Sequence, residues 1–347
     1  LDDYSSLRSF DLNNNDQEAQ LFEPRDGLWY IERRILGGRK KGAQGDNYFT
    51  ADNPAYGVEF TYYLKDSLQS KETLRTEREN EIEENGGIVA VPEWDILEAE
   101  NKEIRPSIWL FVYDNEGKII RKLKAKNSKG FSRVTWDLMT ESIYTLSIED
   151  LEKERKGYRV GPGSYSAQLF KKVNGSFMEL SDQVSYEVKS INHNSLSGSK
   201  PDDVVNHWKN IMSIRAKTND LVADFKEASN TIDLMLFAYE KAVKRDENLL
   251  KEMLQVKAQM NVLELNLMGS EIREEVGEKN EYPSIWTYIW GASSNGSTYG
   301  ATTAQLKSLA NAFTLFNQMN SMLQSIEDSI SPFGVKLNNI GAPAIRE

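Results

Sequence analysis

INHNSLSGSKP, residues 191–201, is polar and rich in serine and asparagine, and the chain repeats differently on its two sides. The stretch predicts a linker and a domain boundary. Upstream, SIWLFVYD (107–114), the turn Asn115-Glu116-Gly117 and KIIRKL (118–123) make a hairpin signature. FSRVTWDL (131–138) alternates again, as does SYSAQLFKKV (164–173) after Gly161-Pro162-Gly163. Asn174-Gly175 then turns the chain into SFMEL, and QVSYEVKS (183–190) closes the set. Short strands at this spacing predict a β-sandwich over 106–190. The alternation turns Trp109, Phe111, Val134, Trp136, Tyr165 and Leu169 inward.

Downstream, the apolar residues step by three and four. Val205, Trp208, Ile211, Arg215, Thr218, Val222 and Phe225 form one series. Leu249, Met253, Val256, Met260, Leu263 and Leu267 form a second. Leu306, Leu309, Phe313, Phe316, Asn320, Leu323, Ile326 and Ile330 form a third, with Asn320 as a register-setting polar position. Three such stripes are satisfied against one another, which predicts an antiparallel three-helix bundle over 202–331. An aromatic insert, 282–300, interrupts it, and Thr302 or Thr303 is placed to cap the last long helix. Residues 332–347 are assigned to a C-terminal tail.

Toward the other end, LFEPRDGLWYIERR (21–34) and GVEFTYYL (57–64) have strand character, with a long loop between them, so 1–64 is an aromatic strand-and-loop segment. Residues 65–105 are a charged helical excursion, with eleven charged side chains between 65 and 84 and a stop at Asn85-Gly86-Gly87. The whole chain of 347 residues carries 42 lysines and arginines against 53 aspartates and glutamates, a net charge of −11, which argues against nucleic acid as a partner. With no cysteine and two histidines, His193 and His207, it has no thiolate chemistry and no histidine-rich metal site. No apolar run approaches the roughly 20 residues of a membrane span, and LDDYSSLRSF is not a signal peptide.

The order of LDDYSSLR, LFEPRDGLWYI, GDNYFTADNPAYGVEFTYYL, PEWDILEAE, VYDNEGKIIRKL, GFSRVTWDL and GPGSYSAQL resembles the region that follows the propeller in bacterial sortilin-like, BNR-repeat proteins, often labelled glycosyl hydrolases. The resemblance covers essentially the whole chain and implies that Leu1–Arg8 is the exit from a β-propeller. Asp114, Gly117, Ile119, Ile120 and Arg121, then Trp136-Asp137, then Pro162-Gly163 and Tyr165, also resemble the Ig-like domain of flagellar hook-capping proteins. The resemblance implies an Ig- or fibronectin-like sandwich, an exported protein of the bacterial envelope (periplasmic, cell-surface or secreted), and hydrolase chemistry confined to a propeller outside this chain.

Several groups invite a functional reading. GGRKKGAQG (37–45) lacks the Gly-Lys-Ser/Thr ending and the following helix of a phosphate loop, so a structural loop is the better reading. His193 and His207 have no evident partner, and exposure or helix capping accounts for them. Glu93, Asp95, Asp114 and Asp137 are the carboxylates beside aromatics that a glycosidase would need, although Asp137 is better suited to bonding a turn. Trp286, Tyr288, Trp290 and Tyr299 are the candidate contact residues. They face a protein partner or a sugar, or else fold back to cap the bundle. No catalytic, cofactor or metal residue is assigned. The expectation is a structural and protein-interaction region that docks a partner or orients a propeller. Its rivals are an accessory glycan-binding region and a subunit of a Bacteroidetes surface complex (gliding or type IX secretion).

Overall fold

A computed structural model describes residues 5, 8, 10, 17–32, 54–148, 154–191, 197–278, 283–293 and 297–345. The chain contains both sheets and helices and divides into two compact units. One comprises Leu1–Glu141 and Lys156–Leu196; the other comprises Ser142–Arg155 and Ser197–Glu347.

In the first unit, β1 (Ala19–Leu21), β2 (Gly27–Trp29) and β3 (Val58–Leu64) precede α1 (Lys71–Glu84) and α2 (Trp94–Asn101). There follow β4 (Ser107–Tyr113), β5 (Ile119–Ala125), β6 (Gly130–Trp136), β7 (Met139–Glu141), β8 (Lys156–Arg159), β9 (Gly163–Val173), β10 (Ser176–Glu179) and β11 (Val184–Ser190). One sheet has the order β1-β3-β6 and the larger has β2-β11-β9-β4-β5, with β10 on β9. β7 and β8 form a separate ribbon. Aromatic side chains of the two larger sheets meet: Phe60 lies 5.2 Å from Tyr186, and Trp136 lies 5.4 Å from Tyr165.

The N-terminal segment thus supplies strands to the sheets. LFEPRDGLWYIERR is split into two short strands because Pro24 has no N–H for a ladder. β2 pairs in parallel with β11, whereas β1 pairs with β3. Gly57, at φ +120°, opens β3 where a Cβ would sit 1.9 Å from the Trp136 carbonyl oxygen, so only glycine fits. The Asn174-Gly175 turn has positive φ at both residues, the conformation that matches strand twist.

β4 corrects the expected core. Ile108, Leu110 and Val112 are fully buried, while Trp109 is only half-buried. Phe111 is buried as expected, although it shares a face with Trp109: it stacks on Phe170 at 4.2 Å, with Phe177 and the Lys122 ammonium against it. SIWLFVY is apolar at nearly every position, so its alternation carried no phase. Trp136 and Leu169 are core residues, while Val134 and Tyr165 are half-buried.

The second unit holds α3 (Pro201–Glu240), α4 (Glu247–Met268), the short α5 (Glu271–Glu275), α6 (Ile285–Ala292), α7 (Thr303–Ile330) and α8 (Phe333–Asn339). α3, α4 and α7 pack on one another around a single apolar core. Asp246 caps α4 by accepting from the Asn248 and Leu249 amides. Thr302 and Gln305 form a reciprocal capping box on α7. All six residues of the α4 series are buried.

The other two stripes are met in part: Ile211, Thr218 and Phe225 of α3 and Leu309, Leu323, Ile326 and Ile330 of α7 are buried as expected. α3 buries Val204, His207, Ile211, Ile214, Thr218, Leu221 and Phe225, leaving Val205, Trp208, Arg215 and Val222 at the flank. Polar side chains sit in that seam because they are satisfied there: Thr218 Oγ1 donates to the Ile214 carbonyl at 2.7 Å. On α7 it is Met319 that is buried, with Asn320 beside it, and Leu306 is exposed. The expected tail forms α8, whose Phe333 and Leu337, with Ile340, join the core.

Candidate functional site

α6 lies within the aromatic insert. Its Ile285, Ile289 and Ala292 are fully buried, and Trp286 and Tyr288 are half-buried against the same core. A helix of eight residues leaves half its carbonyls without intrahelical partners, and here side chains from α3 and α7 bond carbonyls at and just beyond its C-terminal half. His207 Nε2 donates to the Ala292 carbonyl at 3.0 Å, and Ser308 Oγ donates to that of Tyr288 at 2.8 Å. Gln305 Nε2 donates to the Ser293 carbonyl at 3.0 Å. Ser293 Oγ donates to Ile289 and accepts from Arg215 Nη2 at 2.8 Å.

The same Arg215 lays its guanidinium over the Trp290 ring, 4.8 Å from the centroid. Trp290 is 64% exposed, so the ring is held at its rim and open to solvent. Tyr299 is 36% exposed, and its carbonyl accepts from the Ser199 amide at 2.9 Å. The expected cluster of four therefore separates. Trp286 and Tyr288 cap the core, while Trp290 and Tyr299 face outward.

Of the two expectations for His207, exposure fails because the side chain is buried, and helix capping is the one it fits, through its bond to the last carbonyl of α6. The signal in the sequence was its place three residues after Val204 and four before Ile211. His193 and the GGRKKGAQG stretch lie outside the described residues.

The four carboxylates do not converge on one another by contact. Asp114 Oδ1 accepts from the Glu116 and Lys118 amides inside its turn, and Asp137 accepts from the Met139 amide and pairs with Lys156. Glu93 and Asp95 are exposed at the start of α2. A cavity of 440 Å³ in the first unit includes Asp26, Tyr30, Tyr56 and Glu59 in its lining. Its chemistry is spent internally: Asp26 pairs with Lys189, Glu59 pairs with Arg133, and the Tyr56 hydroxyl donates to the Tyr30 carbonyl at 2.9 Å. The Lys189 ammonium and the Glu187 amide hold Asp26 below its ordinary carboxylate value. Among the described residues, no group of three or more His, Asp or Glu side chains is placed to hold a metal ion. Nor is any helix there long and apolar enough to cross a membrane.

The structure also exposes a group that the sequence reading passed over. α1 and α2 contribute no residue to the apolar core, and between them Ile88, Val91 and Trp94 are 96%, 90% and 82% exposed. The run IVAVPEW, three large apolar residues at steps of three between charged helices, was the available signal.

Compared with protein-family models and with curated proteins, the chain matches none.

Proposed function

We propose that this chain is a non-catalytic protein-interaction region of an exported, sortilin-like propeller protein in the bacterial envelope, built from an Ig-like sandwich and an antiparallel three-helix bundle. The strand order supports the sandwich. A sheet of β1-β3-β6 facing one of β5-β4-β9-β11, with β2 crossing to pair in parallel with the last strand, follows the Ig connection pattern. So does Tyr165 at the start of β9, whose hydroxyl donates to the Gly161 carbonyl four residues upstream at 2.7 Å, as in a tyrosine corner.

One observation carries the functional reading: Trp290 is a large ring left in water on a helix whose other face is locked into the core. Tryptophan and arginine are the residue types that dominate contact energy at protein interfaces, and here Arg215 and Trp290 are already in register. A pre-ordered anchor loses little conformational entropy on binding. The glycan reading is weaker because Arg215 covers one ring and two of the four aromatics are committed to the core.

Purified chain, its Trp290→Ala variant and its Trp286→Ala variant separate these readings on a glycan array and against a copurifying protein. We expect stoichiometric protein binding that Trp290→Ala weakens at least tenfold, without saturable sugar binding. Sugar binding lost in Trp290→Ala, or cleavage of any glycoside by the purified chain, would overturn the reading.

A further inference from the structure

α1 and α2 form an arm whose order comes from charge. Arg75 donates from Nε and Nη2 to the two carboxylate oxygens of Glu100 at 2.7 and 3.0 Å, and also reaches Glu79. Glu103 accepts from the Lys71 amide and Arg105 pairs with Glu72. Asn127 exchanges two hydrogen bonds with the Leu68 backbone, and Lys129 holds Asp66. These contacts sit where the arm leaves the sheets. The other end carries Ile88, Val91 and Trp94 in water, and the stretch 81–98 contains six carboxylates and no cation. Of these six, Glu98 is paired with Lys102, whereas Glu81, Glu83, Glu84, Glu93 and Asp95 have no ion pair among the described residues.

Folding of the first unit gains nothing from keeping three large apolar groups in water, where each forgoes the stabilisation that burial of such a side chain supplies. We propose that Ile88, Val91 and Trp94 form a docking tip for a second protein, which receives them in an apolar hollow rimmed by lysine and arginine. The charge argument selects this occupant. Exposed carboxylates on both sequence flanks of the tip repel an anionic lipid surface and repel an identical tip on a second copy, whereas a basic rim attracts them and speeds encounter. The proposal is independent of Trp290, which lies in the other unit.

The test places a photo-crosslinking amino acid at position 88 or 94 of the full protein, in the cells that make it, with position 243 as a comparably exposed control. The protein captured is then purified and its affinity for the chain measured. We expect capture from 88 and 94 but not 243. Affinity should fall at least tenfold for Trp94→Ser, at least threefold for Glu83→Lys combined with Glu84→Lys, and steadily with added salt. Unchanged melting of both variants excludes a folding defect, and is expected because Glu83, Glu84 and Trp94 are all exposed. Any of four results overturns the proposal: no captured protein, capture of lipid alone, crosslinks only within the chain or to a second copy, or a partner indifferent to Trp94→Ser or to the charge reversal.

Discussion

α1 and α4 are both helices, held in opposite ways. α4 buries six apolar side chains in 22 residues, whereas α1 buries none in 14 and is fixed by Arg75, Glu79 and Glu100. The first arrangement is non-directional and strong, and it survives salt. The second is directional, weak and screened. A packed helix makes a rigid seat for a residue such as Trp290, while a charged arm can be built out from the sheets without adding to the core.

The largest effects should break the packed side. Leu263→Ala, at a fully buried α4 position, should cost about 2–5 kcal/mol by denaturant unfolding of the helical unit. A cost near zero would mean that this core is not formed as described. The polar detail of the sheets comes next: Tyr165→Phe removes the bond to Gly161 and should cost about 1 kcal/mol.

On the charged side, Arg75→Ala should leave global unfolding unchanged but raise amide exchange across 71–101. Acid should do the same. The Arg75 guanidinium holds Glu100 below its ordinary value of 4.5, so its support is present above that pH and is lost as pH falls through the lowered value. Protection in the arm, corrected for intrinsic exchange, that stays unchanged on acidification until the sheets themselves unfold would contradict this.

Glu327 gives the smallest effect, with the opposite sign. Burial, together with Asp224, Asp328 and Glu227, pushes it above 4.5, so the helical unit should gain stability as pH falls through the raised value. Glu327→Gln should raise the melting temperature slightly at pH 7 and by less near pH 4.

Much of this was legible in the sequence, for reasons that differ by element. The α4 stripe was readable because its buried positions are all apolar and its flanks are mostly polar. α3 was misphased at its start because its seam includes His207, which is hydrogen-bonded to the Ala292 carbonyl, in place of the apolar Val205 and Trp208 beside it. β4 lacked a polar face to set its phase, and β2, though read as strand, gave no sign that it would part from β1 and pair with β11. Of the aromatic candidates, spacing did not separate capping rings from open ones, because both lie on one short apolar helix. The tip at 88–94 was hidden by the charges around it.

Hydroxyl-radical footprinting of the protein in its native cells and as the isolated chain tests the interaction account most directly. Trp290 should oxidise readily in isolation and be strongly protected in the native setting, with Trp136 protected in both. Equal oxidation of Trp290 in the two settings would contradict the account.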